Sequence, residues 1–131
     1  MIALDTNILV RYLTEDDPEQ YQAAISLLSQ PGETFFVPDI VWVEINWVLG
    51  SCYDWSRIEI TGAFEKLLRI HNLETEDEGR LRKALHALNE GTDFADAMIV
   101  GVGGSHGCQS LASFDKAMAN RYPGYVFTPE F

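Results

Sequence analysis

Short apolar runs that suit β-strands alternate with longer stretches of helical periodicity, and this alternation limits the fold more than any other feature of the chain. Met1–Leu4 is apolar and stops at Asp5-Thr6-Asn7. Thr34–Val37 is rich in β formers, Asn72–Glu74 is a weaker strand candidate, and Gln109–Ala112 and Tyr125–Phe127 follow near the end. Between them, Ile8–Leu13 reads as helix, and Pro18 opens a second helix to about Leu28 that Pro31-Gly32 breaks. Asp39 is the expected N-cap of a helix through Leu49, ended by Gly50 and the Tyr53-Asp54-Trp55 segment. Ser56 caps the next, through about Ile70, and Asp77–Leu88 forms another that stops at Asn89-Glu90-Gly91. Thr92-Asp93 opens a helix to about Val102, weakened at its end by Gly103-Gly104, and Phe114–Arg121 is a short helix or turn. Strand–helix alternation predicts an α/β class, with a central, mostly parallel sheet and helices on both faces.

The chain's 131 residues suit one domain spanning 1–131, and no repeat, low-complexity segment or linker interrupts it. At 47% hydrophobic it can bury a core without disulfides or a structural metal. Cys52 and Cys108 form no CxxC, and His71, His86 and His106 make no metal-spaced cluster, so zinc is not expected and the thiols are read as reduced. The segment Val37–Leu49 is too short and too interrupted by Asp39, Glu44 and Asn46 to span a membrane, and MIALDTN lacks the character of a signal peptide. A cytoplasmic protein with no membrane association is expected.

Twenty acidic residues against nine basic ones give a net charge of −11. Alone, this argues against tight nucleic-acid binding, which needs phosphate neutralisation. It suits solubility, a carboxylate cluster that holds cations, or a basic protein partner.

The positions of particular acids say more than their number. On a helical wheel at about 100° per residue, Glu44 falls among Ile40, Val41, Trp47 and Val48. A carboxylate on a buried face must be paired with a basic residue, neutralised or bound to a metal. Asp5 closes the first strand, where an open α/β sheet places its ligand crevice. Thr6 and Asn7 can cap the following helix, which frees Asp5 to face that crevice. Asp93 is a natural helix cap, and Asp96, three residues on, sits between Ile99 and Val100 on the wheel. Asp115 follows the strand Gln109–Ala112, with Ser113 placed to orient it. In a parallel sheet, strand-to-helix transitions gather on one edge. Four carboxylates there would repel one another unless cations intervened, and oxygen ligands select hard ions such as Mg²⁺ or Mn²⁺.

The segments that carry these acids resemble a known family. DTNILVRYL at Asp5–Leu13, VPDIVWVEINWVL at Val37–Leu49, DFADAMIV at Asp93–Val100 and LASFDK at Leu111–Lys116 look like the acidic motifs of PIN-domain ribonucleases, closest to VapC-type toxins. The order and spacing fit along essentially the whole chain. The resemblance implies a three-layer α/β/α domain and a Mg²⁺- or Mn²⁺-dependent endoribonuclease, with in-line attack leaving a 5′-phosphate and a 3′-hydroxyl. It assigns Asp5, Glu44, Asp96 and Asp115 as catalytic metal ligands. Thr6, Asn7 and Ser113 match supporting polar residues, and Asp93 is either a further ligand or a helix cap. Arg11 and Lys116 lie beside the motifs and could touch substrate phosphate. The resemblance also implies a homodimer and a cognate antitoxin that can place an Arg among the acids, with operator DNA reached only through the antitoxin.

Other readings stay open at the level of sequence. A haloacid-dehalogenase-like phosphatase would need a second Asp two residues after Asp5, where Asn7 stands. A phosphorelay receiver would need an acceptor Asp on a central strand and a later Lys ending a strand, and neither is evident. A PIN-domain RNA-processing nuclease without a toxin role, or an acidic metal-binding co-repressor module, would carry the same motifs.

Overall fold

The computed structural model describes residues 1–130, which divide into two compact units, Met1–Glu78 and the segment from Gly79 onward. In the first unit, β1 (Ile2–Ala3), β2 (Phe35–Val37) and β3 (Leu73–Thr75) form a parallel sheet in the order β1-β2-β3. Ile2 pairs with Phe35, and Phe35 with Leu73. Around these strands stand α1 (Thr6–Thr14), α2 (Pro18–Leu28), α3 (Asp39–Ser51) and α4 (Arg57–Leu68). In the second unit, α5 (Glu78–Asn89), α6 (Phe94–Ser105) and α7 (Lys116–Arg121) accompany a parallel pair, β4 (Leu111–Ala112) and β5 (Val126–Phe127), in which Leu111 opposes Val126. Pairing is parallel throughout, as the strand–helix alternation requires. It is divided between a three-stranded and a two-stranded set rather than drawn as one ladder.

Local chemistry explains the boundaries. Ser56 opens α4 with a complete capping box, accepting from the Glu59 amide while the Glu59 carboxylate accepts from the Ser56 amide. Asp17 caps α2, with Pro18 at its first turn. Asp39 does not cap α3, contrary to expectation. Pro38 occupies the cap position without a side-chain bond, and the Asp39 amide donates to Glu76 Oε2 at 2.6 Å. A carboxylate from beyond β3 thus satisfies one of the first amides of α3, and the Val41 and Trp42 amides donate to Pro38 O. Helix α3 runs through Gly50 to Ser51, past the expected end at Leu49 and short of the Tyr53-Asp54-Trp55 segment. One glycine costs a helix about 1 kcal/mol, which packing of the preceding turns outweighs.

The core of the first unit gathers Leu9, Phe35, Val37, Trp42, Ile45, Leu49, Phe64 and Leu67, all without exposure. Trp42 meets Phe64 with ring centroids 5.0 Å apart at 56°, joining α3 to α4 in a tilted aromatic pair. In the second unit Leu81, Leu85, Leu88, Phe94 and Met98 are buried with Met118 and Val126. Among the described residues no helix is long and apolar enough to cross a membrane.

Candidate metal centre

Asp5 stands just past β1, held in place by the ladder, since the Leu4 amide donates to Phe36 O at 2.9 Å. Here the structure corrects the sequence reading. Helix α1 begins at Thr6, and Asp5 is itself the N-cap, its Oδ1 accepting from the Thr6 amide at 2.7 Å. One carboxylate oxygen serves the cap, and the second leaves Asp5 able to ligate an ion as well.

Glu44 is likewise placed differently from expectation. The buried stripe of α3 is Val41, Trp42, Ile45 and Leu49, whereas Ile40 and Trp47 are 69% and 62% exposed and Glu44 is exposed between them. The helix is apolar almost all round, so the pattern marks an apolar arc without saying which arc faces the core. Glu44 is nevertheless tied down. The hydroxyl of Thr6, itself buried, donates to Glu44 Oε1 at 3.1 Å. Thr6 therefore orients two acids at once, Asp5 through its amide and Glu44 through its hydroxyl. Asn7 is exposed and, with Asp5, Thr6 and Glu44, lines a cavity of about 410 Å³.

The second unit carries the other acids. Asp93 caps α6, its Oδ1 accepting from the Asp96 amide at 3.0 Å. Asp96 is half-buried in the first turn of that helix. Burial pushes its carboxyl above the ordinary carboxylate range, and the nearby Asp93 and Asp115 carboxylates push it further. Asp115 caps α7, its Oδ1 accepting from the Ala117 and Met118 amides at 2.9 and 3.2 Å. Ser113 Oγ accepts from the Asp115 amide at 3.0 Å, the orienting role expected of it. Lys116 is exposed as the first residue of α7.

Two groups escaped the sequence reading. Tyr122 lies close enough to Asp96 for that carboxylate, after burial, to raise the phenol above its usual range. Arg121 Nη1 donates to Glu90 O and Thr92 Oγ1 at 3.0 and 3.2 Å, and Nη2 to Gly91 O at 3.1 Å, which fastens the turn that presents Asp93 and Asp96. Neither residue belongs to an acidic motif, so no local pattern marked them. Arg11, read as a phosphate contact, is engaged within its own unit. Its Nη1 meets Asp16 Oδ1 at 2.9 Å and its Nε donates to Gln20 Oε1 at 2.7 Å.

Among the described residues, no three His, Cys, Asp or Glu side chains are gathered as a ready cage for an ion. Asp5, Asp93 and Asp115 each turn a carboxylate oxygen onto a helix amide. The donor chemistry nonetheless fits a hard divalent cation. The ligands offered are carboxylate oxygens, and in the second unit Asp96 has the Asp93 and Asp115 carboxylates close by.

A model of the PIN domain family matches residues 2–123. The chain belongs to that family. A VapC ribonuclease of Aquifex aeolicus (strain VF5) is 30% identical over 120 residues, covering 88% of each chain. A crystal structure of VapBC2 from Rickettsia felis, bound to a DNA fragment from their promoter, covers 98% of each chain at 20% identity and a TM-score of 0.41. The family match supports the three-layer α/β/α fold class expected from the sequence.

Proposed function

We propose that this PIN-domain protein is a divalent-metal-dependent endoribonuclease of the VapC toxin type. It would hydrolyse RNA phosphodiester bonds as one functional domain across residues 1–131 and be held in check by a cognate antitoxin. The observation that carries this reading is Thr6. Its amide and hydroxyl fix carboxylates from two motifs separated by 38 residues, Asp5 and Glu44, in the family whose relative is a VapC ribonuclease.

Asp5, Glu44, Asp96 and Asp115 are the proposed ligands, and Mg²⁺ or Mn²⁺ is the ion their oxygens suit. Such an ion, when bound, supplies positive charge that stabilises the developing charge on the phosphate. The chain's own residues prepare for it. Thr6 holds Asp5 and Glu44, Ser113 holds the backbone at Asp115, and Arg121 holds the turn before Asp96. The cation also answers the charge problem, because a chain of net charge −11 accepts an anionic strand only where the local field is reversed.

A basic antitoxin suits the same charge. Ile40 and Trp47, seven residues apart on one exposed face of α3, with Ile58 81% exposed on α4, offer apolar contact for a protein partner or for a homodimer. Localisation to the cytoplasm accords with this reading.

Asp5→Asn is the decisive variant. Asn caps a helix about as well as Asp, so the fold is kept while the ligand charge is lost. Cleavage of single-stranded RNA with Mn²⁺ is expected in the wild type and absent from Asp5→Asn. Cleavage that continues unchanged in excess EDTA, or in that variant, overturns the assignment. Co-purification with the product of the neighbouring gene, and inhibition by it, tests the toxin role separately.

A further inference from the structure

The cavity beside Asp5 and Glu44 has a character the acids do not explain. Away from them it is lined by Arg11 and by Val10, Val48, Cys52 and Tyr53, the last four apolar or aromatic side chains where a purely metal-binding recess would need none. Its volume of about 410 Å³ lies in the range of small-ligand sites, roughly 300–1,000 Å³.

Tyr53 is the best-fixed part of this lining. Its Oη donates to Asp16 Oδ2 at 2.7 Å and accepts from Arg11 Nη1 at 3.2 Å. Asp16 Oδ1 in turn accepts from Arg11 at 2.9 Å and from Thr14 Oγ1 at 2.9 Å, while Gln20 holds the Arg11 Nε. The Tyr53 hydroxyl, ahead of Thr14 and Arg11, holds the Asp16 carboxyl below the ordinary range, so the network stays ionised near neutrality. With Asp16 on its guanidinium, Arg11 is poorly suited to a phosphate and well suited to holding the phenol. A half-buried aromatic ring whose hydroxyl is fixed, next to two valines, suits a flat, neutral ring. RNA bases are recognised by stacking on such side chains.

We infer that this cavity receives one nucleobase of the RNA strand, beside the phosphate that is cut, with the Tyr53 ring as its stacking surface and Arg11 and Asp16 as positioning residues. The inference rests on the ribonuclease reading for the strand and the cut, but the site itself can be tested without catalysis. Cys52 and Cys108 are both free and exposed, and only Cys52 lines the cavity. Alkylation of the wild-type protein by N-ethylmaleimide, followed by peptide mass spectrometry, therefore reports occupancy at Cys52 against Cys108 as an internal control.

Millimolar ribonucleoside 5′-monophosphates, tried in turn, are expected to slow alkylation of Cys52 several-fold relative to Cys108, whereas ribose 5-phosphate does not. In cleavage assays Tyr53→Ala is expected to raise KM for single-stranded RNA about tenfold. Tyr53→Phe, which keeps the ring, should fall between it and the wild type. No protection by any nucleotide, equal protection by ribose 5-phosphate, or protection by the antitoxin alone overturns the inference. An unchanged KM in a folded Tyr53→Ala also overturns it while leaving the ribonuclease reading intact. A wild type that cleaves no RNA removes that reading, and Cys52 protection then still decides whether a base occupies the cavity.

Discussion

Thr6 shows how much one short side chain can organise. It is buried, it is the first residue of α1, and it touches acids on either side of a long sequence gap. Thr6→Val keeps the shape and the amide that Asp5 accepts from, and removes only the hydroxyl on Glu44. Glu44 is exposed and can recover water, so the stability cost should stay under about 1 kcal/mol. Cleavage should fall roughly tenfold, the loss of about 1.4 kcal/mol of orientation, and Thr6→Ser should restore most of it. An unchanged rate in a folded Thr6→Val would show that Glu44 needs no orienting.

Asp96 allows a prediction from charge. Its carboxyl is raised by burial, then by Asp93 and Asp115, so the folded chain holds that proton more tightly than the unfolded chain does. Its contribution to stability is therefore complete below the ordinary value of 3.8 and is lost as pH rises through the raised value. Asp96→Asn removes that loss. In metal-free buffer the variant should melt higher than the wild type near neutrality, with the gap closing in acid. Mn²⁺ should raise the wild type's melting temperature more than the variant's. A variant that melts lower at neutral pH contradicts this account. The sequence showed where these acids lie along the chain. It marked Asp93 as a cap, but it did not show that Asp5 and Asp115 cap helices too, because N-cap and ligand roles draw on the same side chain at the same strand-to-helix junction.

At the scale of elements, most helices and strands were legible because each carries its own signal. The Ser56 capping box, Pro18 after Asp17 and the TFFV strand are local devices, and the structure uses each of them. The misplacements have a common cause. Asp39 reads as a cap, Glu44 as buried and Leu49 as the last residue of α3, whereas where a helix starts, which arc it buries and how far it runs depend on its packing as well as on local pattern. Helix α6 poses the same problem in its glycines. A Cβ at Gly103 would lie 2.9 Å from Tyr125 Oη, whereas one at Gly104 would meet nothing within 4 Å. Gly103→Ala should therefore cost about 1–3 kcal/mol by overpacking, because a phenol gives way less readily than a flexible side chain. Gly104→Ala should gain about 0.5 kcal/mol, near the lower end of the helix-interior difference because it lies in the last turn. Urea denaturation of the two variants checks both signs, and equal effects would mean that α6 tolerates close contact at Gly103.

For the whole molecule the governing quantity is its charge of −11. A basic RNA-binding protein releases counterions from each phosphate it meets, and its affinity for single strands falls with a log–log salt slope of about −0.7 per contact. This chain has few cations to release them with, and Arg11 and Arg121 are engaged by its own acceptors. Without divalent ions, added monovalent salt should screen repulsion more than it weakens attraction. The slope for single-stranded RNA should then be near zero or positive, with weak binding throughout. With Mn²⁺ present, affinity should rise sharply and monovalent salt should become mildly inhibitory. Toward a basic antitoxin the sign reverses: the association rate constant should fall steeply as salt screens the attraction, while the dissociation rate changes little. Fluorescence anisotropy with a labelled RNA, and stopped-flow mixing with the partner, separate the two. A strongly negative RNA slope in EDTA would mean that a basic surface, not the cation, carries the strand, and the carboxylates would lose their central place in binding.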